Sequence, residues 1–412
     1  MKAAVLTLGC RVNQSESSVI EGNLRANGFS IVGLGETPDY CIINTCTVTR
    51  KSDYQSRQLI RRAVRTGAKV IVTGCYAQMN PAEVKKIHDS IEIFTINNKL
   101  QIINILTNKT KCNYLSYSSR SRPHIKVQDG CNLSCSYCIV PLARGRSQSI
   151  HVRDVIEQAN IFSEQGYHEV VLTGIHLGSY GHDLNPGTTL KDLIRTLIEK
   201  TKIHRIRLSS LEIREIDSEL IELLADERIC RHLHLPLQSG DDSILSSMKR
   251  NYKTKDYHAV VELIKKKIPE ISIGSDVIVG FPGEGEKEFI NTKSFLDDLP
   301  ISYMHIFPYS RRPNTLASEM DGQIPAHIKK ERYRELNRIN INKKMLYMTD
   351  QINRDLEIII EDQCHDDAVL GTSSNYLKIA LPAETYSRKS CVSVRVTGIK
   401  DSTLTGIPIE NR

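Results

Sequence analysis

Six apolar runs between residues 124 and 309 constrain this chain more than any other feature. They read "HIKVQ", "HEVVLTG", "RIRLSS", "HLHLPL", "SIGSDVIVG" and "YMHIFPY", and helical stretches such as "DVIEQANIFSEQG" and "LKDLIRTLIEK" separate most of them. Near-continuous apolar strands are buried on both faces, and strands alternating with helices build parallel sheets. Six in succession predict a full or partial parallel (β/α) barrel, whose chemistry lies in the loops that follow the strands.

The loop after the first of these strands reads "VQDGCNLSCSYCIVPLARG" and places Cys131, Cys135 and Cys138 close together. Disulfides are the first reading to test. The N-terminus, "MKAAVLTLGCRVNQ", has only a short apolar run and resembles neither a signal peptide nor an anchor. No apolar run reaches the roughly eighteen residues of a membrane span. A cytoplasmic location is therefore expected, where thiols stay reduced and clustered cysteines serve as metal ligands or catalytic groups. The total of 11 cysteines is also odd, which leaves a disulfide framework incomplete. An apolar content of 40% and a charged content of 25% exclude a disordered chain. The net charge of +7 suits an anionic partner but does not by itself single one out.

The spacing C-x-x-x-C-x-x-C gathers three thiolates on one metal centre and leaves one coordination position open. An iron–sulfur cluster with one iron not held by cysteine takes a small-molecule ligand there. A structural zinc needs a fourth protein ligand, and the nearest, His124, lies on the preceding strand. Redox chemistry by Cys135 and Cys138 as a C-x-x-C pair leaves Cys131 unexplained.

Ahead of the barrel, "AAVLTLGC", "DYCIINTCTV" and "AKVIVTGCYA" read as buried parallel strands, with "SSVIEGNLRANG" and "DYQSRQLIRRAVRTG" as helices between them. Each strand runs into a cysteine at its C-terminal end: Cys10, Cys46 and Cys75. Open parallel sheets bind ligands outside those ends, so the three make a second candidate site. Residues 100–123 turn polar, Ser-rich and basic, as a linker does. After the basic helix "AHIKKERYRELNRININKKM", the period changes to two in "LEIIIE", "YLKIAL" and "CVSVRVTGI", which predicts a small β-barrel.

"GCNLSCSYCIVPLARG" resembles the signature of radical S-adenosylmethionine (SAM) enzymes, with Tyr137 just before the third cysteine. In that family the three cysteines hold a 4Fe-4S cluster, SAM chelates the open iron, and an electron cleaves SAM to methionine and a 5′-deoxyadenosyl radical. "TLGCRVNQSES", "CIINTCTVT", "VTGCYAQ", "LTGIHLGSYG", "LPLQSGDDSILSSMKRNY", "DVIVGFPGE" and "FPYSRRPNT" then resemble the methylthiotransferases, in order and spacing, over nearly the whole chain. That resemblance implies a second 4Fe-4S cluster on Cys10, Cys46 and Cys75, again with an open iron where sulfur binds and is methylated. Cys41, Cys112, Cys230, Cys364 and Cys391 match no ligand position, so core, linker or surface is the expectation for them.

The same resemblance makes Thr173, Gly174, Glu212, Gln238, Ser239 and Gly280 the candidate SAM-binding residues, with Gly283 shaping a turn. Asp276, in an otherwise apolar strand, needs a partner or faces substrate. "GCRVN" and "HIFPYSRRPNT" are similar to the enzymes that act on threonylcarbamoyladenosine beside the tRNA anticodon, with Arg11 where those usually carry Lys. "GTSSNYLKI" resembles a TRAM domain, a small RNA-binding barrel. Arg57, Arg61 and Arg65, with Arg62 beside them, lie along one helix and are candidates for phosphate contact.

The resemblance thus implies an α/β enzyme of three domains and a linker: an open parallel-sheet domain over 1–110, the linker over 111–122, a radical SAM partial barrel over 123–345 and a TRAM-like β-barrel over 346–412. It implies a tRNA substrate, two 4Fe-4S clusters, SAM, an external electron donor, a sulfur source and no membrane. The alternatives are the same chemistry on isopentenyladenosine or on a ribosomal-protein aspartate, and a non-catalytic zinc-containing RNA-binding protein.

Overall fold

A computed structural model describes residues 1–107, 117–184, 187–363, 368–382 and 386–409, so Cys112 and Cys364 lie outside the described residues. The N-terminal unit runs β1 (Lys2–Thr7), α1 (Arg11–Ala26), β2 (Ser30–Ile31), β3 (Tyr40–Thr45), α2 (Arg50–Val64), β4 (Lys69–Gly74), α3 (Cys75–Met79), α4 (Pro81–Lys85), β5 (Glu92–Ile93) and α5 (Gln101–Thr107). Its strands form one parallel sheet in the order β2-β1-β3-β4-β5. Alternate side chains serve opposite faces. Ala3, Ile42 and Ile71 pack with Ile20, Leu24 and Ile102, while Ala4, Ile43 and Val72 pack with Ile60 and Ala63.

Two boundaries differ from the expectation. Part of the stretch read as a linker is the helix α5, because Ile102 and Ile103 are buried in the sheet's core. Helix α1 begins at Arg11 rather than near Ser17, and its first turns bury Asn13, Ser15 and Glu16. That face meets the next unit through polar contacts, so no apolar period announces it.

The central unit runs β6 (His124–Lys126), β7 (Gln128–Asp129), α6 (Val140–Arg144), β8 (Gln148–Ser149), α7 (Val152–Glu164), β9 (Glu169–Thr173), α8 (Leu190–Lys200), β10 (Arg205–Leu208), α9 (Ser218–Leu224), β11 (His232–His234), α10 (Asp242–Ser247), α11 (Thr254–Lys267), β12 (Ser272–Val279), α12 (Glu286–Asp298), β13 (Tyr303–Pro308), α13 (Leu316–Glu319) and α14 (Ala326–Thr349). Two parallel three-stranded sheets, β10-β9-β6 and β11-β12-β13, meet through a parallel bridge between Ile206 and Ile229. The barrel is partial, so both outer strands need cover. Helix α1 supplies it on one side, where Ser15 Oγ donates to His124 O at 2.9 Å and accepts from Lys126 N at 3.1 Å. Helix α14 supplies it on the other, where Asn340 Oδ1 accepts from Met304 N at 2.8 Å.

The C-terminal unit is a closed barrel, β14-β15-β16-β18-β17, of β14 (Asp355–Gln363), β15 (Ala368–Ser373), β16 (Lys378–Pro382), β17 (Cys391–Lys400) and β18 (Thr403–Pro408). Ile358, Ile360, Val369, Ile379, Val394 and Leu404 fill it. Strands β15 and β18 escape a reading by alternation, since Gly371 and Gly406 interrupt their apolar positions. Buried charge anchors this unit to the N-terminal ends of the central strands. Arg205 and Arg207 both pair with fully buried Glu169, and Arg207 also donates to the carbonyls of Ser373 and Ser374 at 3.0 Å. Tyr376 enters between them, its ring 4.4 Å from that of His232, and its hydroxyl accepts from Arg11 at 3.1 Å. Among the described residues, no helix is long and apolar enough to cross a membrane.

Candidate active site

The sheet order brings Cys10, Cys46 and Cys75 to the C-terminal ends of three adjacent strands, β1, β3 and β4. Backbone geometry sets their approach. Gly9 has φ +98°, and a Cβ there would stand 2.7 Å from Cys46 Cβ. Gly74 has φ +92°, and a Cβ there would stand 2.4 Å from Thr45 O. Only glycine fits either place. Ser56 Oγ donates to Cys46 O at 3.0 Å, and Thr45 Oγ1 accepts from Ala77 N at 3.1 Å, which fixes the segments carrying Cys46 and Cys75. Cys10 is exposed, whereas Cys46 and Cys75 are buried. Burial pushes the Cys75 thiol up to about 11, and Arg144 opposes that shift.

Arg144 belongs to the other unit, in the helix that follows the second trio. It donates to Glu16 Oε1 at 3.2 Å, to Asp129 Oδ1 at 2.7 Å, and to Asn13 Oδ1. Lys99 and Lys126 also pair with Glu16, so a buried polar knot of both signs joins the two units. Sequence reasoning missed Arg144, because only the fold places it beside Cys75.

Cys131, Cys135 and Cys138 lie in the loop after β6 and β7, over the C-terminal ends of the central strands. Among the described residues His176, not His124, is the imidazole beside them, with Nδ1 3.9 Å from Cys131 Sγ and Nε2 paired with Glu215. Burial works against the charged imidazolium, but hydrogen bonds to Cys131 and Glu215 carry the His176 pKa up to about 10. Arg250 Nη1 donates to Cys135 Sγ at 3.4 Å, and its other arm pairs with Glu212. Burial raises the Cys138 thiol to about 12, against a backbone hydrogen bond at Val140. The motif "LTGIHLG" contained His176, but nothing in its spacing distinguished it from Thr173 or Gly174.

Two cavities flank the second trio. One of about 100 Å³ is lined by Cys135, His176, Glu212, Glu215 and Arg250. The other, of about 260 Å³, lies between the units, with Val48 and Thr49 just beyond Cys46 on one wall and Tyr137, Cys138 and Val140 on another. Gln238, Asp276, Ile278, Phe307 and Tyr309 close it. Asp276 has the partners it needs, since Oδ1 accepts from His234 Nε2 at 3.0 Å and from His305 Nδ1 at 3.2 Å.

The other candidate residues are placed as follows. Thr173 and Ser209, at the C-terminal ends of neighbouring β9 and β10, have buried hydroxyls with no hydrogen-bond partner. Gly174 packs against Gln128, so a Cβ there would sit 2.9 Å from Gln128 Oε1. Glu212 and Gln238 line different cavities. Ser239 is fully buried and turned toward Thr292, and does not line the cavity that its neighbour Gln238 does. Gly280, with φ +70°, lies against Lys329, and its N–H donates to Glu284 at 2.8 Å. Arg57 is held by the Tyr76 hydroxyl at 3.2 Å, while Arg61, Arg62 and Arg65 are exposed. Cys41 and Cys230 are core residues.

The donor sets fit iron–sulfur clusters. Each trio offers three thiols, the first at strand ends and the second in one loop, with a cation, Arg144 or Arg250, to balance anionic sulfur. A cluster takes each thiolate on a different iron, so three thiols hold it and leave one iron open to another ligand. The unpartnered hydroxyls of Thr173 and Ser209 beside the second trio suit a small polar ligand over those strand ends.

Residues 125–296 match the radical SAM superfamily, and residues 2–95 match the uncharacterised protein family UPF0004. Over 385 residues the chain is 39% identical to the threonylcarbamoyladenosine tRNA methylthiotransferase MtaB of Aquifex aeolicus, spanning 88% of this chain and 93% of that protein. Over 400 residues it is 36% identical to the enzyme of the same name from Bacillus subtilis, spanning 90% and 88%. Its fold is similar to the radical SAM methyltransferase TsrM of Kitasatospora setae, solved with cobalamin and a 4Fe-4S cluster, at a TM-score of 0.59, 15% identity and 77% of each chain.

Proposed function

The chain belongs to the radical SAM methylthiotransferases of the threonylcarbamoyladenosine tRNA type, and from that premise we propose that it converts the adenine C2–H of N6-threonylcarbamoyladenosine beside the tRNA anticodon to C2–SCH3. Like its family it uses SAM and iron–sulfur clusters. The observation that carries the proposal is the cavity of about 260 Å³ lined by Cys138 of the second trio and by Val48 and Thr49, two and three residues beyond Cys46 of the first.

In this reading Cys131, Cys135 and Cys138 hold the cluster that binds SAM, and Cys10, Cys46 and Cys75 hold the cluster that presents sulfur. Bound there, these groups supply radical formation from one SAM and methylation of sulfur by another. The remaining work falls to the chain. His176 and Arg250 place positive charge against Cys131 and Cys135. Thr173, Gly174, Glu212 and Gln238 surround the SAM site, while Ser239 and Gly280 shape its walls from behind. Ile139, Val140, Ile278, Phe307 and Pro308 keep water from a radical in the cavity. Asp276 is the polar acceptor on its floor. Exposed Arg61, Arg62 and Arg65 and the C-terminal barrel take the tRNA backbone. Reducing electrons and sulfur come from outside the chain, and the cytoplasm, where tRNA is modified, is its location. The division into 1–110, 123–345 and 346–412, linked by 111–122, belongs to the same reading.

The test is mass spectrometry of tRNA nucleosides from cells lacking this gene, with and without a plasmid copy. The 2-methylthio derivative of threonylcarbamoyladenosine should appear only with the plasmid. An unchanged level of that nucleoside would remove the substrate assignment.

A further inference from the structure

A second set of metal-ligating side chains lies far from both trios, where the C-terminal barrel meets the central unit. His204, Glu357 and Cys391 bring one donor atom each to within 4.8 Å of one another. His204 Nε2 stands 2.8 Å from Glu357 Oε1, and the Cys391 sulfur lies within 4.8 Å of both donor atoms. Pairing explains the convergence. Strands β14 and β17 are antiparallel with Ile359 opposite Cys391 and Glu357 opposite Ser393, so Glu357 and Cys391 are diagonal neighbours on one face. That face is the outer one, since Ile358 and Ile360 fill the barrel.

The imidazoles come from the other unit. Parallel β9 and β10 are in register with Glu169 opposite Arg205, so His168 and His204, each one residue earlier, stand side by side at the edge of the sheet. Their rings are 6.3 Å apart. Arg205 steadies the partner strand through a 2.9 Å hydrogen bond to Glu357 O. A thiol, a carboxylate and an imidazole converge here, with a second imidazole, His168, beside the first.

We propose that Cys391, His204 and Glu357 bind one zinc ion, with His168 facing the fourth position, and that this site clips the C-terminal barrel to the central unit. Thiolate, imidazole and carboxylate are a donor set for zinc, and bonds of about 2.0–2.3 Å need only a small closing of the atoms present. Cys391 binds as the thiolate and gives its proton to solvent, and His204 binds through Nε2 with its one ring proton on Nδ1. Ligands drawn from two units make the metal a cross-link rather than a local brace.

The experiment is elemental analysis of the holoenzyme with its iron fully loaded, made in zinc-supplemented cells, together with zinc X-ray absorption. The wild type should hold about one zinc per chain, with one sulfur and the rest nitrogen or oxygen around it. Cys391→Ser and His204→Ala should lose that zinc, tenfold or more, while keeping wild-type iron and 5′-deoxyadenosine formation. Fully iron-loaded enzyme without zinc would overturn the proposal, as would zinc unchanged in Cys391→Ser. A shell of three or four sulfurs would overturn it too, since it would place the ion in a cysteine trio. Iron content reports separately on the clusters, so failure here leaves the proposed reaction standing.

Discussion

Arg144, in the helix after the second cysteine trio, donates from Nη1 to Glu16 Oε1 at 3.2 Å across the boundary between the N-terminal and central units. Both side chains are almost wholly buried, and the same guanidinium is the positive charge beside Cys75. This one residue therefore couples the spacing of the two trios to the docking of the two units. Arg144→Met removes it without adding bulk, and leaves Asn13 without its charged donor and Asp129 with Lys126 alone. Breaking a buried pair costs about 3–5 kcal/mol. The urea midpoint should fall accordingly, and an unchanged midpoint would show that Lys99 and Lys126 suffice.

Gly9→Ala tests the geometry of the first trio. The added methyl would stand 2.7 Å from Cys46 Cβ at a backbone φ of +98°, so Cys10 and Cys46 must move apart. Iron should drop from about eight to about four per chain, with 5′-deoxyadenosine formation retained. Full iron in the variant would mean that the strand end yields without cost.

Asp276→Asn addresses the floor of the cavity. The variant keeps the shape but loses the charge held between His234 and His305. SAM cleavage should continue, while methylthio product falls at least tenfold. Equal loss of both would mean that Asp276 serves SAM rather than tRNA.

Acid sensitivity has a named source. Burial, reinforced by the charges of Arg11, Arg120 and Arg122, lowers the His124 pKa from 6.5 to about 3. The unfolded chain thus binds the proton more readily, and this contribution to stability is whole above pH 6.5 and lost as pH falls toward 3. From pH 7.5 to 5.5 the loss is about 1.4 kcal/mol, and His124→Asn should lack it. Denaturant midpoints at the two pH values would check this, and equal acid losses in both proteins would contradict it.

Much of this was legible in the sequence. Apolar runs ending in Cys10, Cys46 and Cys75 showed both the parallel sheet and the placing of the three cysteines at its strand ends, because burial and strand termination are local properties. The six central strands were legible for the same reason. What the sequence hid was long-range polarity. Arg144 beside Cys75, Arg11 on Tyr376 and Ser15 on the edge of β6 join segments far apart in the chain, and no spacing rule connects them. His176 was in view but unassigned, since only the folded loop sets it against Cys131. Cys391, set aside as a residue of core, linker or surface, proves to stand beside a histidine from another unit.

The measurement that bears most directly on the central claim compares Cys75→Ala with Cys138→Ala in anaerobic, reconstituted enzyme given SAM, reductant and threonylcarbamoylated tRNA. The two products counted are 5′-deoxyadenosine and the 2-methylthio nucleoside. The account predicts that Cys138→Ala makes neither, whereas Cys75→Ala still cleaves SAM but makes no methylthio product. Methylthio nucleoside from Cys75→Ala, or 5′-deoxyadenosine from Cys138→Ala, would contradict the division of labour between the two trios.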